Sequence, residues 1–135
     1  MFLGSAHFDL ARCVKAAEEG RLGLGKTKCR IILLELLGDF AKCDEFALVV
    51  LKLLTPNDFN ITKTLDGGVK YDEYGIRLPV TVLDEFGLTQ ETWYVKFTLR
   101  EGTWGEETYC LSLHPLNDPM NCVGGRIVPS NRDWP

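Results

Sequence analysis

The chain of 135 residues reads as an α+β fold, with N-terminal helices packed on a mainly antiparallel sheet. Three observations predict it. Apolar residues recur at helical spacing through the first 54 positions. From Asp58 onward the dominant period falls to two, the spacing of strands. The two kinds of segment are segregated along the chain, unlike the alternating order of parallel α/β folds. No internal repeat, linker or low-complexity stretch interrupts the pattern, so one domain over 1–135 is expected.

Each element follows from local signals. Asp9 offers a capping oxygen to a helix from Leu10 to Glu19, with Leu10, Cys13, Val14 and Ala17 on one stripe and Gly20 as its end. Lys26 to Leu37 carries Cys29, Ile32, Leu33, Leu36 and Leu37 on one face, and Gly38 stops it. Asp44 is the predicted cap of a third helix, Glu45 to Leu54, with Phe46, Val49, Val50, Leu53 and Leu54 facing inward. Thr55-Pro56-Asn57 then breaks the chain.

Asp58 to Leu65 reads as a short strand and Asp66-Gly67-Gly68 as a turn. Lys70 to Leu83 alternates β-formers, and Gly75 and Pro79 predict a bend or an edge position there. Thr92 to Leu99 sets Trp93, Val95, Phe97 and Leu99 against Tyr94, Lys96 and Thr98. Glu107 to Leu113 alternates through Tyr109, Leu111 and Leu113, and Val123 to Val128 predicts a last strand.

Fifteen Lys and Arg against nineteen Asp and Glu give a net charge of -4, a balance that argues against a general nucleic-acid binder. The distribution is uneven: residues 1–34 carry +3 and the remainder -7, which leaves room for a basic face. Cys13, Cys29, Cys43, Cys110 and Cys122 are widely spaced, and no CxxC or Cys/His pair has metal-ligand spacing. Reduced structural thiols and no metal are therefore expected. No apolar run approaches the roughly 20 residues of a membrane span, and no basic, apolar leader marks the N-terminus. The expectation is a cytoplasmic chain without a membrane partner.

Gly20-Arg21-Leu22-Gly23-Leu24-Gly25-Lys26-Thr27 satisfies the phosphate-loop pattern GxxxxGK[ST]. That chemistry needs a strand into the loop and a helix out of it, so that backbone N–H groups converge on phosphate. Here a predicted helix precedes the glycines, and no apolar strand ending in Asp follows to hold magnesium. The segment reads as a glycine-rich connector, with Lys26 and Thr27 as ordinary surface donors.

A broader pattern runs through His7-Phe8-Asp9-Leu10, Leu54-Thr55-Pro56-Asn57-Asp58-Phe59, Tyr71-Asp72-Glu73-Tyr74, Tyr94-Val95-Lys96 and Leu111-Ser112-Leu113-His114. This ordered set, over residues 7–114, resembles the MqsR (motility quorum-sensing regulator) family of toxins; residues 115–135 form an extension outside it. The resemblance implies a RelE-like fold, metal-independent cleavage of mRNA, no cofactor, and neutralisation by a cognate antitoxin protein. It assigns Tyr94 the family's functional tyrosine. Ile61 stands where the family has a catalytic lysine, and Lys63, two positions on, lies on the same strand face. Tyr71 stands at a functional glutamine and His114 at a functional lysine.

RNA cleavage without metal needs a base for the 2′-hydroxyl, an acid for the leaving 5′-oxygen and positive charge at the phosphorane. Histidine suits proton transfer near neutrality better than lysine does. His114, Tyr94 and Lys63 are accordingly the predicted catalytic group, with Lys70, Tyr71 and Lys96 binding substrate. His7 reads as a helix-entry residue, and Trp93, Phe97 and Trp104 as core or hairpin anchors. The rival expectation, drawn from the acidic charge and Ile61, is a protein-interaction module that keeps the fold and lacks the activity.

Overall fold

Helix α1 (Leu10–Glu18) begins where Asp9 Oδ1 accepts the Ala11 N–H at 3.0 Å, and buries Cys13, Ala16 and Ala17. A computed structural model describes residues 5–132. The N-terminal end of the chain, where a leader would start, and the last three residues of the extension lie outside the described residues.

The glycine-rich segment is more than a connector. Leu22–Leu24 form strand β1, and Gly25 N–H donates to Cys110 O at 2.8 Å. A π-helical turn, Lys26–Arg30, then leads into α2 (Ile31–Leu37). The stretch between Gly20 and Gly25 is thus extended along the sheet and cannot curl its N–H groups around a phosphate.

Gly38, at φ +76°, ends α2, and Asp39 caps α3 (Phe40–Leu53) by accepting from Ala41 N at 2.7 Å and Lys42 N at 3.3 Å. The predicted cap was Asp44. It lies inside the helix instead and pairs with Arg30 at 3.2 Å. Capping strength alone could not choose between the two aspartates; the left-handed stop at Gly38 leaves the chain free to restart at once.

The sheet order is β1-β5-β4-β3-β2, with β2 at Phe59–Thr64, β3 at Lys70–Arg77, β4 at Thr92–Gly102 and β5 at Gly105–Pro115. Only β1 against β5 is parallel; the other three pairings are antiparallel. The fold is α+β with a mainly antiparallel mixed sheet. One face carries Tyr74, Ile76, Trp93, Val95, Phe97 and Leu113, buried under Cys13, Leu33, Phe46 and Val50 of the helices. Phe46 meets Trp93 edge to face at 4.8 Å, and Tyr74 stacks on Phe97 at 5.3 Å.

Two features of this sheet differ from the pattern in the sequence. Pro79 ends β3 and opens a short helix α4 (Val80–Phe86), closed by Gly87 at φ +66°. Its β-branched start hid it, but burial of Leu83 and Phe86 favours the helix. Gly75 is neither a bend nor an edge, because β3 pairs on both sides. It makes room for a hairpin from the C-terminal extension, β6 (Met120–Cys122) and β7 (Gly125–Ile127), where one strand was expected. A Cβ at Gly75 would lie 2.5 Å from Met120 Sδ and 2.7 Å from Ile127 Cδ1.

The extension is tied down further. Val123 N–H reaches Phe59 O at 2.9 Å, and Gly124 N–H reaches Asn57 O at 2.7 Å. At the other end of the motif set, the fully buried Asp72 accepts the His7 and Phe8 N–H groups at 3.0 and 2.9 Å and the Thr62 hydroxyl at 2.5 Å. The N-terminal His7-Phe8 entry and β3 are therefore joined by one carboxylate.

Candidate active site

The sheet face opposite the helices carries the chemistry. On β4, Tyr94 lies between Gly75 and His114, and Lys96 lies between Glu73 and Ser112. Strand alternation turns these side chains away from Trp93 and Val95. His114 needs one further device. Cys110 and Leu113 both face the core, which regular alternation forbids, and the register shift opposite Lys96/Phe97 absorbs the odd residue. Without that bulge, the parity set by Cys110 would turn His114 inward. The expected alternation through Tyr109, Leu111 and Leu113 breaks here for the same reason.

The result is a cleft of about 560 Å³ whose lining includes Lys28, Lys63, Glu73, Tyr94, Lys96 and His114. Residues 116–121 of the extension form one wall, held by the Asn60 side-chain amide donating to Asn121 O. Tyr94 also packs against Leu116, Met120 and Cys122, which gives that wall its own small apolar core.

Within the cleft the groups touch in sequence. The Tyr94 and His114 rings stack with centroids 5.0 Å apart and an interplanar angle of 26°. Lys96 Nζ sits 5.9 Å from the Tyr94 ring centroid. Lys63 Nζ lies 3.3 Å from Glu73 Oε2, on a carboxylate only 5% exposed. Burial first, and then the adjacent Glu73 carboxylate, push the Tyr94 phenol far above its ordinary range, so it remains a hydrogen-bond donor. His114 Nδ1 lies 2.8 Å from Pro115 O. A carbonyl oxygen only accepts, so Nδ1 carries the proton and Nε2 is left for chemistry.

Of the residues singled out from sequence, Lys63, Tyr94, Lys96 and His114 meet in this cleft. Lys70 and Tyr71 do not line it. Lys70 Nζ donates to Thr64 Oγ1 at 3.1 Å on the surface, and Tyr71 borders a separate depression with Leu65, Val69 and Leu111. Sequence reasoning passed over Lys28 and Glu73. Glu73 carried a signal, since it alternates with Tyr71 on the face shared by Ile61 and Lys63. Lys28 had none, because its position depends on how the π-helical turn meets β5.

Among the described residues no group of three His, Cys, Asp or Glu side chains is placed to hold a metal, and no helix is long and apolar enough to cross a membrane. All five cysteines are buried thiols. The core is defined by an α+β sheet with a polar, lysine-lined cleft on its open face. Comparison with family models, with curated proteins and with solved structures finds no match for the chain.

Proposed function

We propose that this cleft is the active site of a metal-independent endoribonuclease, a RelE-like toxin of the MqsR type that cuts mRNA and is neutralised by a cognate antitoxin. The reading rests above all on the convergence of Lys63, Tyr94, Lys96 and His114, chosen for this chemistry from sequence, in one cleft. Lys28, Lys63 and Lys96 attract the phosphodiester and offset charge on the phosphorane. Tyr94, kept protonated, donates to a phosphate oxygen, and the exposed edge of its stack with His114 offers a surface to an unpaired base. His114 transfers a proton through Nε2. The cationic cleft reconciles RNA binding with the net charge of -4, since attraction depends on the local field.

Purified protein incubated with single-stranded RNA in excess chelator tests this. Cleavage leaving 2′,3′-cyclic phosphate and 5′-hydroxyl ends is expected, with a loss of about 10²–10⁴-fold in His114→Ala. RNA left intact by the wild type, together with normal growth of cells expressing it, rejects the proposal and favours the interaction module. Growth arrest relieved by the product of an adjacent gene would identify the antitoxin.

A further inference from the structure

Two carboxylates on β3 are buried, and the fold treats them differently. Asp72, on the helix side, is saturated by two backbone N–H groups and a hydroxyl. Glu73, on the cleft side, has an oxygen, Oε2, that accepts no hydrogen bond among the described residues and lies 3.3 Å from the Lys63 ammonium, while the Tyr94 hydroxyl adjoins the same carboxylate. Replacing a buried ion pair by apolar residues of similar size is often neutral or stabilising. Structure alone does not require it there.

We propose that Glu73 is the general base of the cleavage reaction, which makes His114 the general acid; this rests on the ribonuclease reading above. Transphosphorylation moves two protons and so needs two groups. Tyr94 holds its proton, and the Lys28, Lys63 and Lys96 ammonium groups have no lone pair with which to act as the base and serve instead to offset phosphate charge. Asp118 also lines the cleft, but it is exposed to solvent on the wall formed by the extension. Glu73 and His114 remain. Glu73 stands opposite Lys96 and His114 opposite Tyr94, so the pair is diagonal across β4. Strand spacing puts their α-carbons about 12 Å apart, room for a phosphodiester between the two side-chain tips, over Tyr94 and Lys96.

The 2′-hydroxyl gives its proton to the Glu73 carboxylate and its oxygen bonds to phosphorus. The P–O5′ bond breaks, and the departing oxygen takes the Nε2 proton of His114, which enters the step as the doubly protonated imidazolium and leaves it as the neutral ring with its proton on Nδ1 toward Pro115 O. The products are a 2′,3′-cyclic phosphate and a 5′-hydroxyl; water then removes the proton from Glu73 and returns one to His114. In the free protein Lys63, half exposed, covers Glu73. An arriving phosphate draws that ammonium away and uncovers the base.

The test compares an ordinary RNA with one whose scissile 5′-oxygen is replaced by sulfur, a leaving group that needs no acid. His114→Ala should lose about 10²–10⁴-fold on the oxygen substrate and recover to within about tenfold of wild type on the sulfur one. Glu73→Gln should lose as much on both. A Glu73→Gln loss below about tenfold, or one restored by sulfur, overturns the assignment. If the glutamine variant does not fold, Glu73→Asp takes its place: a loss that sulfur leaves unrepaired supports the base role, and an unchanged or restored rate overturns it. Wild type that cleaves neither substrate removes the ribonuclease reading itself, and the role of Glu73 with it.

Discussion

Tyr94 and His114 are direct partners across β4 and β5, and their rings stack at 5.0 Å. The stack fixes the imidazole plane while the Pro115 carbonyl fixes its Nδ1 proton. Tyr94 thus reaches both ends of the site: its ring supports His114 and its hydroxyl adjoins Glu73.

Tyr94→Phe keeps the ring and its packing on Leu116 and Met120 but removes the hydroxyl. RNA cleavage should fall by about tenfold with stability changed by less than about 1 kcal/mol. Tyr94→Ala should also destabilise by about 2–4 kcal/mol. Steady-state rates and urea unfolding of the two variants separate the hydroxyl from the ring.

Lys96→Ala should weaken RNA binding evenly across sequences. The slope of log affinity against log salt should flatten by about 0.7, one phosphate contact on a single strand. A titration between low and moderate salt reads this directly.

Asp72→Ala leaves the His7 and Phe8 N–H groups without their acceptor. A loss of about 3 kcal/mol in urea unfolding is expected. Amide exchange should show the N-terminal segment losing protection first.

Gly75→Ala drives a Cβ toward Met120 and Ile127. The β6–β7 hairpin must shift, at about 1–3 kcal/mol, and faster amide exchange at Val123 and Gly124 should report its release from Phe59 and Asn57.

Stability should fall on the alkaline side. Burial, reinforced by Asp72, pushes the Cys13 thiol from 9.0 up to about 12, and burial likewise raises the Tyr74 and Tyr94 phenols. The folded chain therefore keeps protons that the unfolded chain releases above about pH 9. The stabilisation is complete below that pH and is lost as pH rises toward the folded values, by about 1 kcal/mol per pH unit for each retained proton. Urea midpoints between pH 8 and 10.5 measure the decline. Cys13→Ala should flatten it.

Short-range signals carried much of the fold. Asp9 and Gly38 named a helix start and a helix stop because a cap and a left-handed residue act over one turn. The alternation in Thr92 to Leu99 named both faces of β4, and with them Tyr94 and Lys96. Lys63 followed from the same period on β2. What failed depended on contacts distant in sequence. Asp39 and Asp44 compete locally as caps, and α4 exists because Leu83 and Phe86 find a core to enter.

The sequence by itself determined the α+β class, the two faces of β4 and four of the residues that share the cleft, since periodicity and side-chain chemistry are local. Only the tertiary structure decided that the extension would wall the cleft, that Gly75 would admit its hairpin, and that Glu73 would be buried beside Lys63. It also decided that a bulge would turn His114 outward. Register, close approach and burial are relations between segments far apart in the chain, and no local pattern encodes them.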